Sequence, residues 1–270
     1  MGVDINGGIF VKPIGVVRSE YVSLEEPPAP GLVSGIELFS GYERALLRME
    51  EHSHFWVLSW FHKARREVLT TVHRRIDPDL PEYGVFGLRS PNRPNPIALS
   101  LVRLERVDGG VLHVKGLDAV DGTPVLDIKP YVENDIVFSA ATPYFRPARH
   151  EARKNMLLKE AVRHHGEECP CLLTAVRMVM AAVDVMGHRS SPGLKVEVTG
   201  PLCLADTIQG LTRARLANPP RFSFREAEDI FVSIWRKGGQ LLKIAAARPV
   251  TREEFDNAGD ESIFVITGNL

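Results

Sequence analysis

Apolar and polar residues alternate in short runs through the first half of the chain, up to about residue 138. A period of two residues is typical of β-strands that bury one face. The runs are separated by turn sequences such as Asp108-Gly109-Gly110 and Asp121-Gly122, in which glycine takes the positive φ of tight turns. We therefore predict strands at 14–18, 35–39, 55–61, 85–88, 97–107, 111–117 and 124–131.

One helix is predicted to interrupt these strands. Ser40 is a suitable N-cap, and Glu43 follows it three residues later, as in a capping box. The apolar residues that would face the core are Leu46, Leu47 and Met49. The first half is thus expected to be all-β apart from this helix.

The second half of the chain has a helical period. Apolar residues recur at steps of three and four from Leu172 to Met186, and Gly187 follows as a C-cap. Beyond it we predict a strand at 194–199, a helix at 205–216, and a strand pair at 229–235 and 240–246. Helices and strands in this order indicate an α/β or α+β fold.

A segment rich in proline, alanine and arginine, 139–154, separates the two patterns and contains few core-forming runs. A chain of 270 residues, with 44% hydrophobic and 25% charged residues, is long enough for two ordinary domains. We predict a β domain at 1–140, a linker at 141–154 and an α+β domain at 155–270.

Charge and cysteine content narrow the class of protein. The 33 basic and 34 acidic residues give a formal charge of −1, which argues against bulk nucleic-acid binding. Three cysteines argue against a secreted disulfide scaffold. The N-terminus lacks a cationic start before an apolar core, and no apolar run approaches the ~18 residues of a membrane span. We expect a soluble cytoplasmic protein with no membrane partner.

Candidate chemistry is concentrated in the segment FGLRSPNRPNPI at 86–97. Its prolines stiffen a loop that carries two arginines and two asparagines. Guanidinium and amide groups on a preorganised loop suit a planar or anionic ligand. A plain structural turn is the alternative, because proline and asparagine are ordinary loop residues.

A second segment, 118–131, contains three carboxylates and a lysine. In a regular strand Leu126 and Ile128 point to one face, and Asp127 and Lys129 point to the other. The second face would hold a charged pair, either within a functional site or as an ordinary hairpin salt bridge.

Five motifs occur in the order and spacing of the TsaA-like (tRNA methyltransferase O) family, over about residues 10 to 138. They are PIGVVRSEY, GIELFSGYERAL, HFWVLSWFHK, FGLRSPNRPNPIALS and DAVDGTPVLDIKPY. The resemblance implies a single-sheet β-barrel that binds S-adenosylmethionine and is typically a homodimer with sites near the subunit interface. It also implies methyl transfer to N6 of the threonylcarbamoylated adenosine 3′ of the anticodon in tRNA. The chain agrees in lacking the G-x-G-x-x-G run of a Rossmann fold.

The matched motifs also assign roles. Methyl transfer from a sulfonium needs alignment of the reacting atoms and an acceptor for the amine proton. The candidate acceptors are Asp118, Asp121 and Asp127. The residues assigned to the cofactor or the incoming nucleotide are Arg89, Ser90, Arg93 and Asn95. Those assigned to the cofactor pocket are Leu126 and the backbone of the turn formed by Asp121, Gly122 and Thr123.

A group of cations follows the third predicted strand. It consists of Lys63, Arg65, Arg66, Arg74 and Arg75. As an RNA-binding surface these side chains would contact phosphates, and affinity would depend strongly on salt. A solvated surface loop is the alternative interpretation.

Histidine and cysteine residues mark a candidate metal site in the second half. Cys169 and Cys203 are predicted to lie at helix starts, where the helix dipole favours thiolates. Together with His165 they would supply soft and borderline ligands of the kind that zinc or iron accepts. Inert buried cysteines are the alternative.

Two motifs in this region, HGEECP at 165–170 and CLADTIQGLT at 203–212, resemble the FmdE-like domain over roughly residues 155 to 248. That resemblance implies a metal, often zinc, on the matching histidine and cysteines. Cys171 and Glu167 depart from the family pattern and are candidate substitute ligands.

These observations favour an S-adenosylmethionine-dependent methyltransferase that acts on tRNA and carries an FmdE-like metal-binding domain. Two alternatives remain open. One is a methyltransferase for a small thiol, a metal ligand or a cofactor precursor. The other is a binding module that responds to S-adenosylmethionine or a metal without catalysis.

Overall fold

The computed structural model describes residues 9–22, 32–74, 76–140, 142 and 145–269. The chain divides into two compact units. The first comprises Met1–Val72 and Pro81–Ile136, and the second His73–Leu80 and Val137–Leu270. The predicted boundary after residue 140 lies close to Ile136, but the assignment of His73–Leu80 to the second unit differs from the sequence-based division.

The described residues of the first unit form eight strands. They are β1 (Gly15–Arg18), β2 (Val33–Leu38), β3 (His54–Trp60), β4 (Thr70–Thr71), β5 (Tyr83–Gly84), β6 (Ile97–Asp108), β7 (Val111–Lys115) and β8 (Pro124–Pro130). Six of them close into an antiparallel barrel in the order β1-β2-β7-β6-β3-β8, and β4 pairs with β5. Period-two alternation therefore predicts the six barrel strands, whereas β4 and β5 are not among the predicted strands.

The barrel encloses an apolar core. Along β3, Phe55 and Val57 point inward with Ser59, while the residues between them are partly exposed. Val17 on β1 and Ile36 on β2 are fully buried in the same cluster. These residues thus form the buried face of their strands, as the alternation in the sequence predicts.

Two local predictions in this unit are wrong. The helix predicted near Ser40 is instead a pair of short 3₁₀ turns, Glu43–Leu46 and Met49–Glu51. Arg48 between them has a φ of 67°, which an α-helix cannot accommodate, and Leu47 is 80% exposed. The strand predicted at 85–88 is a 3₁₀ turn, Val85–Gly87.

The second unit is α+β, as predicted. Its helices are α1 (His150–His165), α2 (Pro170–Met186), α3 (Leu202–Thr212), α4 (Arg252–Asn257) and α5 (Asp260–Ile263). Its strands are β9 (Lys195–Gly200), β10 (Phe222–Glu226), β11 (Phe231–Lys237), β12 (Gln240–Ala246) and β13 (Val265–Asn269). They form one sheet in the order β10-β9-β11-β12-β13, in which only the β9–β10 pair is parallel.

Helix α2 is the centre of this unit. Nearly all of its residues are buried, and Gly187 ends it with a φ of 77°, as the sequence predicts. Buried Arg177 on α2 donates hydrogen bonds to the carbonyls of Glu254, Phe255 and Ala258 and forms an ion pair with Asp260 at 2.6 Å. This arginine ties the segment containing α4 and α5 to the core.

Helix α1 begins within the segment predicted as a linker. Its sequence is polar, and one of its buried positions is Lys154. The Lys154 ammonium donates to the Asp256 carbonyl at 3.0 Å, pairs with Glu151 at 2.9 Å and lies over the Phe255 ring. A lysine at a core-facing position hides the helical period from an apolar pattern search.

None of the helices in the described part of the chain has the length and apolar character that a membrane span requires.

Candidate functional site

Three motif-bearing loops lie at the same end of the barrel, which we call the loop rim. The rim consists of 61–69 after β3, 88–96 before β6 and 116–123 before β8. Their shared location follows from the register: at the end of β3, Trp60 pairs with Ile97 and Ser59 pairs with Val125. The structure thus brings the arginine-proline motif and the Asp-Gly-Thr-Pro motif to one end of the barrel.

Arg93 holds the proline-rich loop in shape. Its guanidinium donates to the backbone carbonyls of Val85 and Leu88, at the two ends of the 3₁₀ turn. These carbonyls therefore accept hydrogen bonds from the Arg93 side chain, and that of Val85 also from the Leu88 amide, instead of from a neighbouring strand. Arg93 is thus a scaffold residue, whereas Arg89 and Asn95 in the same loop are exposed and Ser90 is half-buried.

The basic loop after β3 is tied to the proline-rich loop. The Arg65 amide donates to Asn92 Oδ1, and Arg66 Nε donates to the Pro94 carbonyl, both at 2.9 Å. The Arg66 guanidinium also lies 5.5 Å from the centroid of the Trp60 ring. Arg66 therefore supports the rim, while the side chains of Lys63 and Arg65 are exposed.

The five predicted phosphate contacts do not all belong to the first unit. Arg74 belongs to the second unit, because His73–Leu80 is part of that unit. Arg75 lies outside the described residues. Of the predicted phosphate contacts, Lys63, Arg65 and Arg66 are in the first unit.

The turn that carries Asp121, Gly122 and Thr123 is fastened to the end of β1. Asp121 Oδ1 accepts a hydrogen bond from the Ser19 amide at 3.0 Å, and the Gly122 amide donates to the Val17 carbonyl at 2.9 Å. Gly122 has a φ of 75°, which glycine adopts without strain. The buried Thr123 hydroxyl donates to the Val120 carbonyl at 2.7 Å, so this side chain serves the turn itself.

Asp127 and Leu126 lie away from this turn, along β8. Leu58 pairs with Asp127 but Ser59 pairs with Val125, so Leu126 is the extra residue of a β-bulge. The regular alternation predicted for Leu126 and Ile128 is therefore broken. The predicted charged pair is present, with Lys129 Nζ 2.7 Å from Asp127 Oδ2.

Asp127 also lines a cavity of about 640 Å³ at the end of the barrel opposite the loop rim, together with Tyr42, Arg48 and His52. Asp118 lies in rim loop 116–123 and is exposed. No hydrogen bond or ion pair of its carboxylate is found in the described part of the chain. Among the three predicted proton acceptors, Asp118 is the one at the rim with an uncommitted carboxylate.

The second unit contains a compact group of metal-ligating side chains. His165, Cys169 and Cys203 each offer one ligand atom, and these atoms lie within 4.8 Å of one another. His165 is the last residue of α1, Cys169 is the N-cap of α2, and Cys203 is in the first turn of α3. Three helix ends thus bring together the three residues predicted as ligands.

The donor geometry suits a tetrahedral zinc or iron site. With bond lengths of about 2.3 Å to sulfur and 2.0 Å to nitrogen, a tetrahedral metal holds these atoms about 3.6 Å apart. The observed distance from His165 Nε2 to Cys169 Sγ is 3.7 Å. Three protein ligands leave a fourth position for a water or a substrate.

Electrostatics at the cysteines differ from the expectation for a helix start. Burial raises the pKa of the Cys203 thiol, and the neighbouring Cys169 raises it further. The pKa of Cys171 is raised by burial and by the same two cysteines. Crowded thiols resist becoming thiolates together, and a cation between Cys169 and Cys203 would remove that penalty.

Neither predicted substitute ligand joins this group in the described residues. Cys171 packs against the apolar core of the second unit, one residue into α2. Glu167 is exposed in the turn between α1 and α2.

His164 and Asp206 lie beside this group and have no role predicted from the sequence. His165 Nδ1 lies 2.7 Å from Asp206 Oδ2, and His164 Nε2 lies 3.2 Å from Asp206 Oδ1. A signal was available, because Asp206 is three residues after Cys203 and therefore lies on the same face of α3.

A family model described as the tRNA-methyltransferase O N-terminal domain matches residues 16–135. A Methanothermobacter thermautotrophicus protein named "Probable S-adenosyl-L-methionine-binding protein" is 45% identical over 130 residues, which are 47% of this chain and 92% of that protein. The chain belongs to the tRNA-methyltransferase O family. The family predicted for the first half is thereby confirmed, and the match covers most of the barrel unit.

Two further relatives extend the comparison. An Archaeoglobus fulgidus "Probable S-adenosyl-L-methionine-binding protein" is 38% identical over 221 residues, which are 78% of this chain and 60% of that protein. A mouse "tRNA (adenine(37)-N6)-methyltransferase" is 37% identical over 138 residues, 47% of this chain and 31% of the mouse protein. The chain thus spans well under the full length of both relatives.

Proposed function

We propose that this protein is an S-adenosylmethionine-dependent methyltransferase that uses the loop rim to bind its cofactor. One observation carries the proposal: the arginine-proline motif and the Asp-Gly-Thr-Pro motif lie at the same end of the barrel. These are the two most specific motifs in the chain, which belongs to the tRNA-methyltransferase O family. Arg89, Ser90 and Asn95 supply polar groups from a loop that Arg93 holds rigid. The backbone of the Asp121–Gly122–Thr123 turn supplies the facing wall.

The proposed acceptor is N6 of the threonylcarbamoylated adenosine 3′ of the anticodon in tRNA. The nitrogen attacks the sulfonium methyl, the methyl–sulfur bond breaks, and S-adenosylhomocysteine leaves. The proton lost from nitrogen passes to a carboxylate, for which Asp118 is best placed because its carboxylate is exposed at the rim. Lys63 and Arg65 would contact tRNA phosphates. The name of the mouse relative supports this acceptor.

A homodimer is part of this proposal. The outer face of the barrel carries an apolar stripe formed by the cross-strand pairs Trp60–Ile97, Leu58–Leu99 and Trp56–Leu101. Ile97, Leu99 and Leu101 are 42%, 47% and 41% exposed, although strand residues on an outer face are usually polar. A second copy of the chain, packed stripe to stripe, would bury this surface beside the rim loops that begin at Trp60 and end at Ile97.

The second unit is proposed to be an FmdE-like domain that holds one zinc or iron ion on His165, Cys169 and Cys203. A borderline ion on these ligands would supply Lewis acidity at the open position. This centre favours one alternative function, methyl transfer to a small thiol or metal ligand bound there. The similarity to the Archaeoglobus relative supports keeping that alternative, because it extends beyond the barrel over 78% of the chain.

The deciding experiment supplies methyl-labelled S-adenosylmethionine to the protein with total tRNA or with a metabolite fraction. We expect label in tRNA, lost with Arg89→Ala and with Asp118→Asn but retained with Arg44→Ala, which changes an exposed arginine at the opposite barrel end. Label in metabolites alone would favour the small-molecule acceptor. Tight cofactor binding with no transfer to either fraction would indicate a binding module.

A further inference from the structure

The Asp206 carboxylate lies between two consecutive histidines at the end of α1 and uses both of its oxygens. Oδ2 is 2.7 Å from His165 Nδ1, and Oδ1 is 3.2 Å from His164 Nε2. We propose that Asp206 is the positioning residue of the metal centre: it fixes the tautomer and ring orientation of His165, and His164 in turn fixes Asp206. This inference rests on the proposed metal site and goes beyond its ligands.

The consequence for His165 follows from the chemistry of imidazole. A neutral ring has one N–H and one lone pair, and a carboxylate accepts the N–H. With Nδ1–H donated to Asp206, the lone pair is on Nε2, the nitrogen that lies 3.7 Å from Cys169 Sγ. Carboxylates that orient metal-binding histidines in this way raise the basicity of the ligand. The His165 side chain is only 12% exposed, so water competes poorly for Nδ1.

The His164 ring occupies a space on α3 that is open because position 210 is a glycine. A Cβ placed on Gly210 would lie 2.1 Å from His164 Cδ2, far inside the limit for two carbon atoms. Gly210 therefore leaves the space that the His164 ring of α1 occupies when it reaches Asp206, which lies on α3 together with Gly210. The arrangement has a specific requirement at each position: glycine at 210, a ring at 164 and a carboxylate at 206.

Cobalt(II) is the probe, because its thiolate charge-transfer and d–d bands report both the affinity and the geometry of a tetrahedral site. The full-length protein, freed of metal, is titrated with cobalt(II) and then competed with zinc. Asp206→Ala should weaken cobalt binding about 10- to 100-fold, the range for loss of such a carboxylate. Asp206→Asn keeps an acceptor oxygen and should recover part of this loss. His164→Ala should cost roughly two- to tenfold, the scale of one hydrogen bond.

Glu197→Ala is the matched control, because the Glu197 and Asp206 side chains are both 46% exposed and Glu197 lies on β9, where it pairs with Arg236. It should leave cobalt binding unchanged. The melting temperature of each metal-free variant distinguishes two causes of weaker cobalt binding. A variant that only loses the orientation of its ligands should melt at the parent temperature without metal, whereas a variant that loses its fold should melt at a lower temperature.

Gly210→Ala provides an independent test through its partner. The new methyl group should displace the His164 ring and weaken cobalt binding as much as His164→Ala does. In a His164→Ala background the same methyl group meets no ring, so Gly210→Ala should then have no further effect. Parent-like cobalt affinity and bands in Asp206→Ala would overturn the inference while leaving the metal site intact. A parent protein that binds neither cobalt nor zinc would instead refute the metal site itself, and the role of Asp206 with it.

Discussion

Arg89 and Arg93 lie four residues apart in one loop, yet their truncation should have different consequences. Arg93→Ala removes the guanidinium donor from the carbonyls of Val85 and Leu88, two residues that are 1% and 6% exposed, while the Val85 carbonyl keeps its hydrogen bond from the Leu88 amide. A hydrogen bond with a charged partner contributes about 1.5–3 kcal/mol, so two contribute roughly 3–6 kcal/mol. Arg93 Nε is buried with no partner among the described residues, and its removal offsets about 1–3 kcal/mol. We expect a net loss of about 2–3 kcal/mol of barrel stability.

Urea unfolding read by peptide-resolved hydrogen exchange measures the barrel separately from the second unit. With a slope of about 2 kcal/mol per molar urea, the loss corresponds to a midpoint lower by about 1–1.5 M. Arg89→Ala changes an exposed side chain and should alter stability by less than about 0.5 kcal/mol. In calorimetry it should weaken S-adenosylmethionine binding by about 1.5–3 kcal/mol, or roughly 10- to 150-fold.

The reverse pattern would refute these two roles. If Arg93→Ala unfolds at the parent urea concentration, the two carbonyl contacts do not hold the loop. If Arg89→Ala binds the cofactor with parent affinity, the exposed guanidinium at the rim does not contact the cofactor, whatever happens at Arg93.

Four further expectations can be measured independently. Arg177→Met should destabilise the second unit by about 3–5 kcal/mol in urea, because it leaves a carboxylate and buried carbonyls without their donor; a smaller change would mean that water replaces the guanidinium. Neutralising Lys63 and Arg65 should flatten the dependence of log tRNA affinity on log salt by roughly 0.7–0.9 for each phosphate that these side chains neutralise in the parent protein, with Arg44→Ala as the control. Elemental analysis should find about one zinc or iron per chain, and Cys203→Ser should be free of metal and melt at a lower temperature. Hydrogen bonds from Arg248 and the Thr251 backbone lower the pKa of Glu254 to about 2. The Glu254 carboxylate should therefore contribute fully to stability at pH values above its ordinary pKa, and this contribution should disappear as pH falls through about 2. Glu254→Gln should remove this acid dependence when melting temperatures are measured over a series of pH values.

Most of the barrel strands follow from the sequence because period-two alternation survives wherever one face is buried. The exceptions occur where a side chain replaces a regular backbone partner. Arg93 satisfies the carbonyls of Val85 and Leu88, so an apolar run forms a 3₁₀ turn instead of a strand. A bulge at Leu126 interrupts the expected alternation along β8, and no local residue pattern indicates that the extra residue is there.

Some of the predicted site residues lie at one end of the barrel because motif position and barrel register agree. Arg89, Asn95 and Asp118 belong to loops that antiparallel pairing brings to one end. The position of Asp127 at the opposite end of the barrel depends on three-dimensional packing that spacing along the chain does not encode. Long-range register is thus the information that a single sequence lacks.

The cluster of His165, Cys169 and Cys203 illustrates how much residue chemistry can predict without the three-dimensional structure. Residue type, position near helix ends and the resemblance to the FmdE-like domain together selected His165, Cys169 and Cys203 as candidate ligands, and the structure brings these three side chains close to one another. The same reasoning could not rank Cys171 below Cys203, since both are near a helix start and both are half-buried. The difference is direction: Cys171 faces the apolar core, whereas Cys203 and Asp206 share the face of α3 that meets the end of α1. The side chains that cluster are therefore decided by which faces of separate helices meet, and the Asp206 carboxylate is found by following His165 to its second ring nitrogen.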